Sequence, residues 1–464
     1  MARAIMVQGT SSGAGKSFLA TALCRYYARQ GLRVAPFKAQ NMSNNARVVA
    51  GGEIGSAQYF QALAAGVEPE VRMNPVLLKP EGEQRSQVIL LGRPSPELSR
   101  LPWRERKDRL WPVVRQALHE LMQAFDLLVI EGAGSPAEIN LKSTDIVNMR
   151  VALEAKARVL IVSDIDRGGA LAHLYGTYAL LEAPEQALVK GFVLNKFRGD
   201  ARLLSPGPEA LEALTGVPTV AVLPLWPGHG LPEEDGVFDP RSVGQGLRVA
   251  VVVYPRSSNL DEFEPLKHLP GVELVWAQAP GALQGAELIV LPGSKHTVSD
   301  LEWLRAQGLE DSIRAHARAG KPLLGICGGL QMLGETIQDP QGIETPGSFR
   351  GLGLLPLQTV FGPDKVQRLS QACLEGLGGY WKALEGLAIQ GYEIRHGESG
   401  QVYMQQGSVL GLYLHGLFEN PEVLKRLFGQ PPRSEDVFEQ MADFVGAHFR
   451  AGFLDWLADH RQTP

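Results

Sequence analysis

The sequence predicts an α/β protein built as two doubly wound, mainly parallel sheets, and three observations carry this. Short apolar runs alternate with stretches of helical periodicity, as buried parallel strands covered by helices do; examples are Ile5-Met-Val7, Leu127-Leu-Val-Ile-Glu131, Val159-Leu-Ile-Val-Ser-Asp164 and Gly191-Phe-Val-Leu-Asn195. Two glycine-rich turns, at residues 9–17 and 327–329, each stand between such a run and a helical stretch. Between the two, residues 224–246 hold Pro224, Pro227, Gly228, Gly230, Pro232, Gly236, Pro240, Gly244 and Gly246, a junction composition, and a fresh strand pattern starts at Leu247. The expected division is 1–235, a linker at 236–246, and 247–464.

Composition narrows the function classes. A chain of 464 residues is long enough for two cores, and 44% hydrophobic with 20% charged residues describes a globular protein. A net charge of −5 supplies no basic face for nucleic acid. Three cysteines, far apart, exclude a disulfide framework or a zinc cluster and suit a reducing cytoplasm. The chain opens on a strand pattern, and no apolar run reaches the roughly 18 residues of a membrane span. The expectation is a cytoplasmic protein acting on small molecules, with no membrane and no obligate protein partner.

In the first half, Ile5-Met-Val7 leads into Gly9-Thr-Ser-Ser-Gly-Ala-Gly-Lys-Ser17, and Leu19, Ala22, Leu23 and Tyr26 follow at helical spacing. A glycine-rich turn between strand and helix lets backbone N–H groups cradle phosphates. Gly13 and Gly15 shape the loop, Lys16 is placed to reach the β- and γ-phosphates of a bound nucleotide, and the Ser17 hydroxyl to sit on magnesium. Five residues separate Gly9 from Gly15 instead of the usual four, the spacing of deviant phosphate loops. Glu131, ending an apolar strand, is a second magnesium group, and Asn195, at the end of another, is placed to read an adenine edge. Glu53 reads either as a further magnesium carboxylate or as a helix-start residue. Lys79 reads as a solvated lysine in preference to an additional phosphate ligand, and Cys24 as core. After Lys38 comes a polar loop with Gln40, Asn41, Ser43, Asn44 and Asn45. Loops at the carboxyl ends of parallel strands bind ligands, and amides both donate and accept, so this loop suits a substrate rich in carboxylates and carboxamides.

In the second half, Pro322-Leu-Leu-Gly-Ile-Cys-Gly-Gly-Leu-Gln-Met-Leu-Gly334 reads as strand, sharp turn and helix, with Cys327 at the turn. Such an elbow lifts a nucleophile clear of the sheet and sets it at a helix N-terminus, where thiolate is favoured. The Gly328 N–H and the Gly293 loop are the expected oxyanion donors. His415, ending Gly411-Leu-Tyr-Leu-His415, is chosen as the base over His396 because it follows a strand and precedes Gly416. Cys373 has no elbow and no partner.

Taken together, these motifs resemble the family of cobyric acid synthases, glutamine-dependent amidases of corrin biosynthesis. The residues carrying the resemblance are the loop at 9–17, Phe37-Lys-Ala-Gln-Asn-Met-Ser-Asn-Asn45, Asn74-Pro-Val-Leu-Leu-Lys-Pro80, Ser163-Asp-Ile-Asp-Arg-Gly-Gly169, Tyr254-Pro-Arg-Ser-Ser-Asn259, Leu291-Pro-Gly-Ser-Lys295, Gly325-Ile-Cys-Gly-Gly-Leu-Gln331 and Tyr413-Leu-His-Gly-Leu-Phe-Glu419. The resemblance implies a P-loop NTPase-like domain using ATP and magnesium, and a class I amidotransferase-like domain releasing ammonia from glutamine. It implies amidation of four peripheral carboxylates of adenosylcobyrinic acid a,c-diamide. On that reading, the position of the amide loop beside the phosphate-loop strand and its amide chemistry make Gln40, Asn41, Asn44 and Asn45 the expected corrinoid-binding residues. Triad enzymes of class I carry a glutamate two residues after the histidine, where this chain has Leu417. A cysteine–histidine dyad, Glu419, or another group then orients the ring. Two rival readings are a cobyrinate a,c-diamide synthase and a non-catalytic ATP switch fused to a degenerate amidotransferase module.

Overall fold

The structure, a computed structural model, describes residues 2–82, 85–231, 246–429 and 437–459. In the first half, six strands form a parallel sheet in the order Thr219–Pro224, Val189–Phe197, Arg158–Asp164, Arg3–Gly9, Leu127–Glu131, Val34–Phe37. Alternate residues of the strand Arg3–Gly9 serve opposite faces. Ala4 and Met6 join one apolar cluster, with Leu118 of the helix Trp103–Ala124. Ile5 and Val7 join another, with Leu19, Leu23 and Cys24 of the helix Lys16–Arg29. Because the first strand lies inside the sheet, the chain leaves it toward both edges. The resulting crevice at the carboxyl ends of these strands is where an open α/β sheet binds ligands.

The second sheet runs Val272–Ala277, Leu247–Val252, Leu288–Leu291, Leu323–Ile326, Val409–Leu412, Tyr403–Gln406, with only the last strand antiparallel. The strands preceding Cys327 and His415 are hydrogen-bonded neighbours, Ile326 opposite Leu412. Both residues therefore emerge at the same end of the sheet.

Two expectations are corrected. The division at 247–464 assigns the chain's last helices to the second half, but Val437–His448 and Phe453–Ala458 pack on the first. Met441, Val445, Leu454 and Leu457 share a cluster with Ile5, Leu19 and Leu23, and the Tyr27 hydroxyl donates to the Leu454 carbonyl at 2.8 Å. Position along the chain does not decide where an apolar helix face finds cover. The expected linker, Gly246 apart, lies outside the described residues.

The polar stretch after Lys38, expected as a loop, is partly strand. Gln40–Met42 pairs in parallel with Val76–Gly82, and Ala46–Val49 forms a hairpin with Gly52–Gly55. A long antiparallel ribbon in the second half, Gln358–Cys373 with Ala388–Glu398, lies across these elements. Its Ile394 packs on Ala46, Leu77 and Ile89, and the Gln367 side chain donates to the Gly92 carbonyl at 3.2 Å. The two halves are thus joined through the segment that carries the amide run.

Candidate active sites

Cys327 stands where the buried strand Leu323–Ile326 ends and the helix Gly328–Leu333 begins. Its φ of 51° and ψ of −106° lie outside the ordinary regions for a residue with a side chain, and its N–H donates to the Leu412 carbonyl at 2.8 Å. Neighbouring glycines allow the elbow to be approached closely. A Cβ on Gly329 would sit 1.9 Å from the Leu291 carbonyl oxygen, one on Gly328 2.8 Å from the Ser294 nitrogen, and one on Gly293 2.7 Å from His415 Cε1. Gly293, Gly328, Cys327 and His415 are therefore brought together.

His415 is held from several sides. Its backbone N–H donates to the Tyr392 carbonyl at 2.9 Å, and its ring stacks on Tyr392 with centroids 5.2 Å apart and planes 18° off parallel. Its Nδ1 lies 2.9 Å from Oε1 of Glu262, whose Oε2 accepts the Gly416 N–H at 2.8 Å. A carboxylate can only accept, so Nδ1 carries the proton and Nε2 is left for the thiol. Burial alone would push the His415 ring down, but Glu262 and then Cys327 outweigh it and raise the ring to about 10. Glu262 was not foreseen. The only signal was a pair of acids, Asp261 and Glu262, directly behind the 254–259 run. Glu419, named as one orienting group, is instead paired with Arg47 at 2.5 Å.

A pocket beside the thiol is lined by Gln331, Glu344 and Arg395 from the second half and by Asn44 and Lys79 from the first. Burial raises the Glu344 carboxyl to about 8 and lowers the pocket's His396 ring to about 4. Lys79, expected in solvent, is buried on Glu53, because the ribbon of the second half covers it.

At the carboxyl end of the first sheet, Lys16 Nζ donates to the carbonyls of Ser11 at 2.9 Å and Gly134 at 3.1 Å. The Ser17 hydroxyl donates to Glu131 Oε1 at 2.9 Å, Lys38 pairs with the same oxygen at 2.9 Å, and the Gln61 amide donates to Oε2. Burial would raise the Glu131 carboxyl, but Lys38 overcomes it and holds the group ionised. A hydroxyl beside a fixed carboxylate suits a hard dication. Among the described residues no cluster of three or more histidine, cysteine or acidic groups could hold a metal. Arg167 also reaches the loop, 3.6 Å from where a Gly13 Cβ would stand.

Three placements differ from the sequence reading. Asn195 lies beneath the phosphate loop, donating to the Ala14 carbonyl at 2.9 Å, and would collide with any side chain at Gly15; it braces the loop. Glu53 is fully buried with each oxygen on a lysine, Lys79 and Lys365. Burial pushes its carboxyl up, yet Lys365 and Lys79 hold it down at about 2, so its lone pairs are engaged away from Ser17 and Glu131. The amide run is split. Asn41 donates to Gln58 at 3.3 Å within the first half, whereas the Asn45 side chain accepts the Leu260 N–H at 3.2 Å across the junction. Asn44 faces the thiol pocket, and Gln40 is half-buried on its short strand.

Residues 5–228 match the model of the CobQ/CobB/MinD/ParA nucleotide binding domain, and residues 248–423 that of the CobB/CobQ-like glutamine amidotransferase domain. The chain is 60% identical to a cobyric acid synthase of Methylibium petroleiphilum, over 98% of this chain and 96% of that one. It is 60% identical to one of Variovorax paradoxus, over 98% and 99% respectively. The chain belongs to the cobyric acid synthase family. It is an amidotransferase of cobalamin biosynthesis with a nucleotide-binding half, and the phosphate loop and the cysteine elbow each fall inside the domain match that accounts for them. Among the described residues no helix is long and apolar enough to cross a membrane.

Proposed function

We propose that the chain is a glutamine-hydrolysing, ATP-dependent synthase that amidates peripheral carboxylates of adenosylcobyrinic acid a,c-diamide to give adenosylcobyric acid. The carrying observation is the Cys327–His415–Glu262 constellation, opening on a pocket that residues of the nucleotide-binding half complete. The Cys327 thiolate attacks the side-chain carbonyl carbon of glutamine. N–H groups of Gly328 and the 293–294 strand face the oxyanion. His415 gives its proton to the leaving nitrogen, then takes one from the water that cleaves the thioester to glutamate. The Glu344 carboxylate suits the substrate's ammonium group, and Gln331, fixed by Thr297 at 3.1 Å, suits its side-chain amide.

Ammonia leaves on the side lined by Asn44 and Lys79, toward the first half. There a corrinoid carboxylate oxygen takes the γ-phosphoryl group of ATP, releasing ADP. Ammonia displaces phosphate from the acyl phosphate, because an unmodified carboxylate is a poor electrophile. Lys16 and Arg167 stabilise the transferring charge, and magnesium, held by Ser17 and Glu131, would neutralise the phosphate oxygens. Gln40 and Asn41 remain the corrinoid-facing candidates.

The test is amide formation with ATP and glutamine on two substrates. Turnover of the a,c-diamide with cobyrinic acid ignored is expected. Preference for cobyrinic acid would make this the earlier a,c-diamide synthase, and no amide on either would favour the non-catalytic switch.

A further inference from the structure

We infer that Arg47, in the nucleotide-binding half, is a positioning residue for the Cys327–His415–Glu262 constellation, so that glutamine hydrolysis depends on the docked first half. The inference rests on the glutamine-hydrolysing reading above. Arg47 sits on the hairpin strand Ala46–Val49 and is 2% exposed. Its Nε donates to Asp261 Oδ2 at 3.0 Å, Nη2 bonds the same oxygen, and Nη1 pairs with Glu419 at 2.5 Å. Its guanidinium carbon also lies 5.2 Å from the ring centroid of Tyr392. Each of these contacts adjoins the histidine without reaching it. Asp261 precedes Glu262, Tyr392 stacks on the His415 ring and pairs with its backbone, and Glu419 closes the turn after His415.

A second tie runs the same way. Asn259, held at φ 58°, donates to the Ala46 carbonyl at 2.6 Å and to the Tyr392 hydroxyl at 2.8 Å. The short helix bearing Glu262 is thus pinned on one side by His415 and on the other by a strand of the opposite half. Removing Arg47 would leave Asp261 a buried carboxylate without a counter-charge; its Oδ1 already has no partner. The turn Leu260–Phe263 must then shift to solvate that charge, and Glu262 shifts with it. Lysine keeps the charge but not the planar fork that binds Asp261 and Glu419 together while lying over Tyr392.

The test compares wild type, Arg47→Lys and Arg47→Met in the full chain. It reads kcat and KM for glutamine hydrolysis, amidation driven by ammonium salts, and Tm. A sub-ångström to ångström misplacement of the base costs on the order of 10–100-fold. The expected result is a kcat loss of that size in Arg47→Met, a smaller loss in Arg47→Lys, and glutamine KM and ammonium-driven amidation both within about twofold of wild type. If Arg47→Met does not fold, Arg47→Lys carries the test alone. A glutaminase kcat unchanged in the folded variants overturns the inference, as does a parallel fall of both activities with Tm, the mark of a merely structural residue. Wild type that amidates from ammonium but hydrolyses no glutamine overturns the reading beneath it as well.

Discussion

Glu262 Oε1 and His415 Nδ1 lie 2.9 Å apart although 153 residues separate them in the chain. Class I triads carry this carboxylate two residues after the histidine, where Leu417 here is buried in the apolar cluster with Phe418 and Phe263. In this chain the acid beside the ring stands instead on the turn Leu260–Phe263, which follows the first strand of the second sheet.

Glu262→Gln should therefore lower glutamine-dependent amidation by about 10²–10⁴-fold, as loss of the orienting carboxylate does elsewhere. Ammonium-driven amidation should persist. The pH dependence has a definite sign. Glu262 and Cys327 keep His415 protonated up to about pH 10, so removing one anion lets the proton leave earlier and moves the alkaline edge of the kcat profile downward. A profile identical to wild type would argue against the orienting role.

Cys327→Ala and Lys16→Ala should separate the two chemistries. The first abolishes glutamine use while sparing amidation from ammonium. The second removes amidation from either nitrogen source, by a hundredfold or more if one charged contact to the transferring phosphoryl is lost. Cys373 is exposed and ends the strand Gln358–Cys373 instead of standing at an elbow, so Cys373→Ala should retain both activities. Retained amidation in Lys16→Ala would place the reacting phosphate elsewhere.

Glu53 and Glu131 should also part company. Glu131→Gln is expected to raise the magnesium requirement steeply, whereas Glu53→Gln should leave it unchanged and cost stability instead. Lys79 and Lys365 would lose their shared counter-ion, a loss of roughly 3–5 kcal/mol for a broken buried pair. Burial already brings Lys365 down to about 7, below the value of a free lysine, so the unfolded chain binds more protons over that interval. Stability of Glu53→Gln should recover as pH rises through it. Wild-type Glu53, held down at about 2, acts in the other direction: its contribution is present above the ordinary carboxylate value and is lost as pH falls toward 2. Urea denaturation across pH, with magnesium titrations of activity, reads both effects.

The amide run should divide functionally where it divides structurally. Asn45→Ala removes the acceptor for the Leu260 N–H and should lower glutamine-driven amidation more than ammonium-driven amidation. Asn41→Ala should raise the corrinoid KM with either nitrogen source, each lost hydrogen bond weighing about 0.5–1.5 kcal/mol. Equal effects of both variants on both reactions would remove the distinction.

Glu344→Gln should raise the glutamine KM about tenfold, the effect of one lost charge-assisted contact. In wild type the carboxylate ionises only as pH rises toward 8, so its affinity for the substrate's ammonium group should strengthen over that interval, a trend that disappears in the variant. Steady-state glutamine titrations from pH 6.5 to 8.5 check the slope.

What the sequence determined by itself was local. Glycines between an apolar run and a helical period defined the phosphate loop at 9–17 and the elbow at Cys327, because strand, turn and helix signals act within a few residues. His415 could be chosen for the same reason: it ends a strand. What only the tertiary structure decided were the pairings across the chain. Glu262 reaches His415, and Arg47 reaches Asp261, only because sheet order and an interdomain hairpin bring distant turns to one place. Lys79, a solvated residue by its local context, becomes an internal cation under the ribbon that covers it, and Glu53 becomes its partner instead of a magnesium ligand. The last two helices return to the first core for the same reason. Burial and counter-charge are properties of what packs against a residue, and no periodicity along the chain encodes that neighbour.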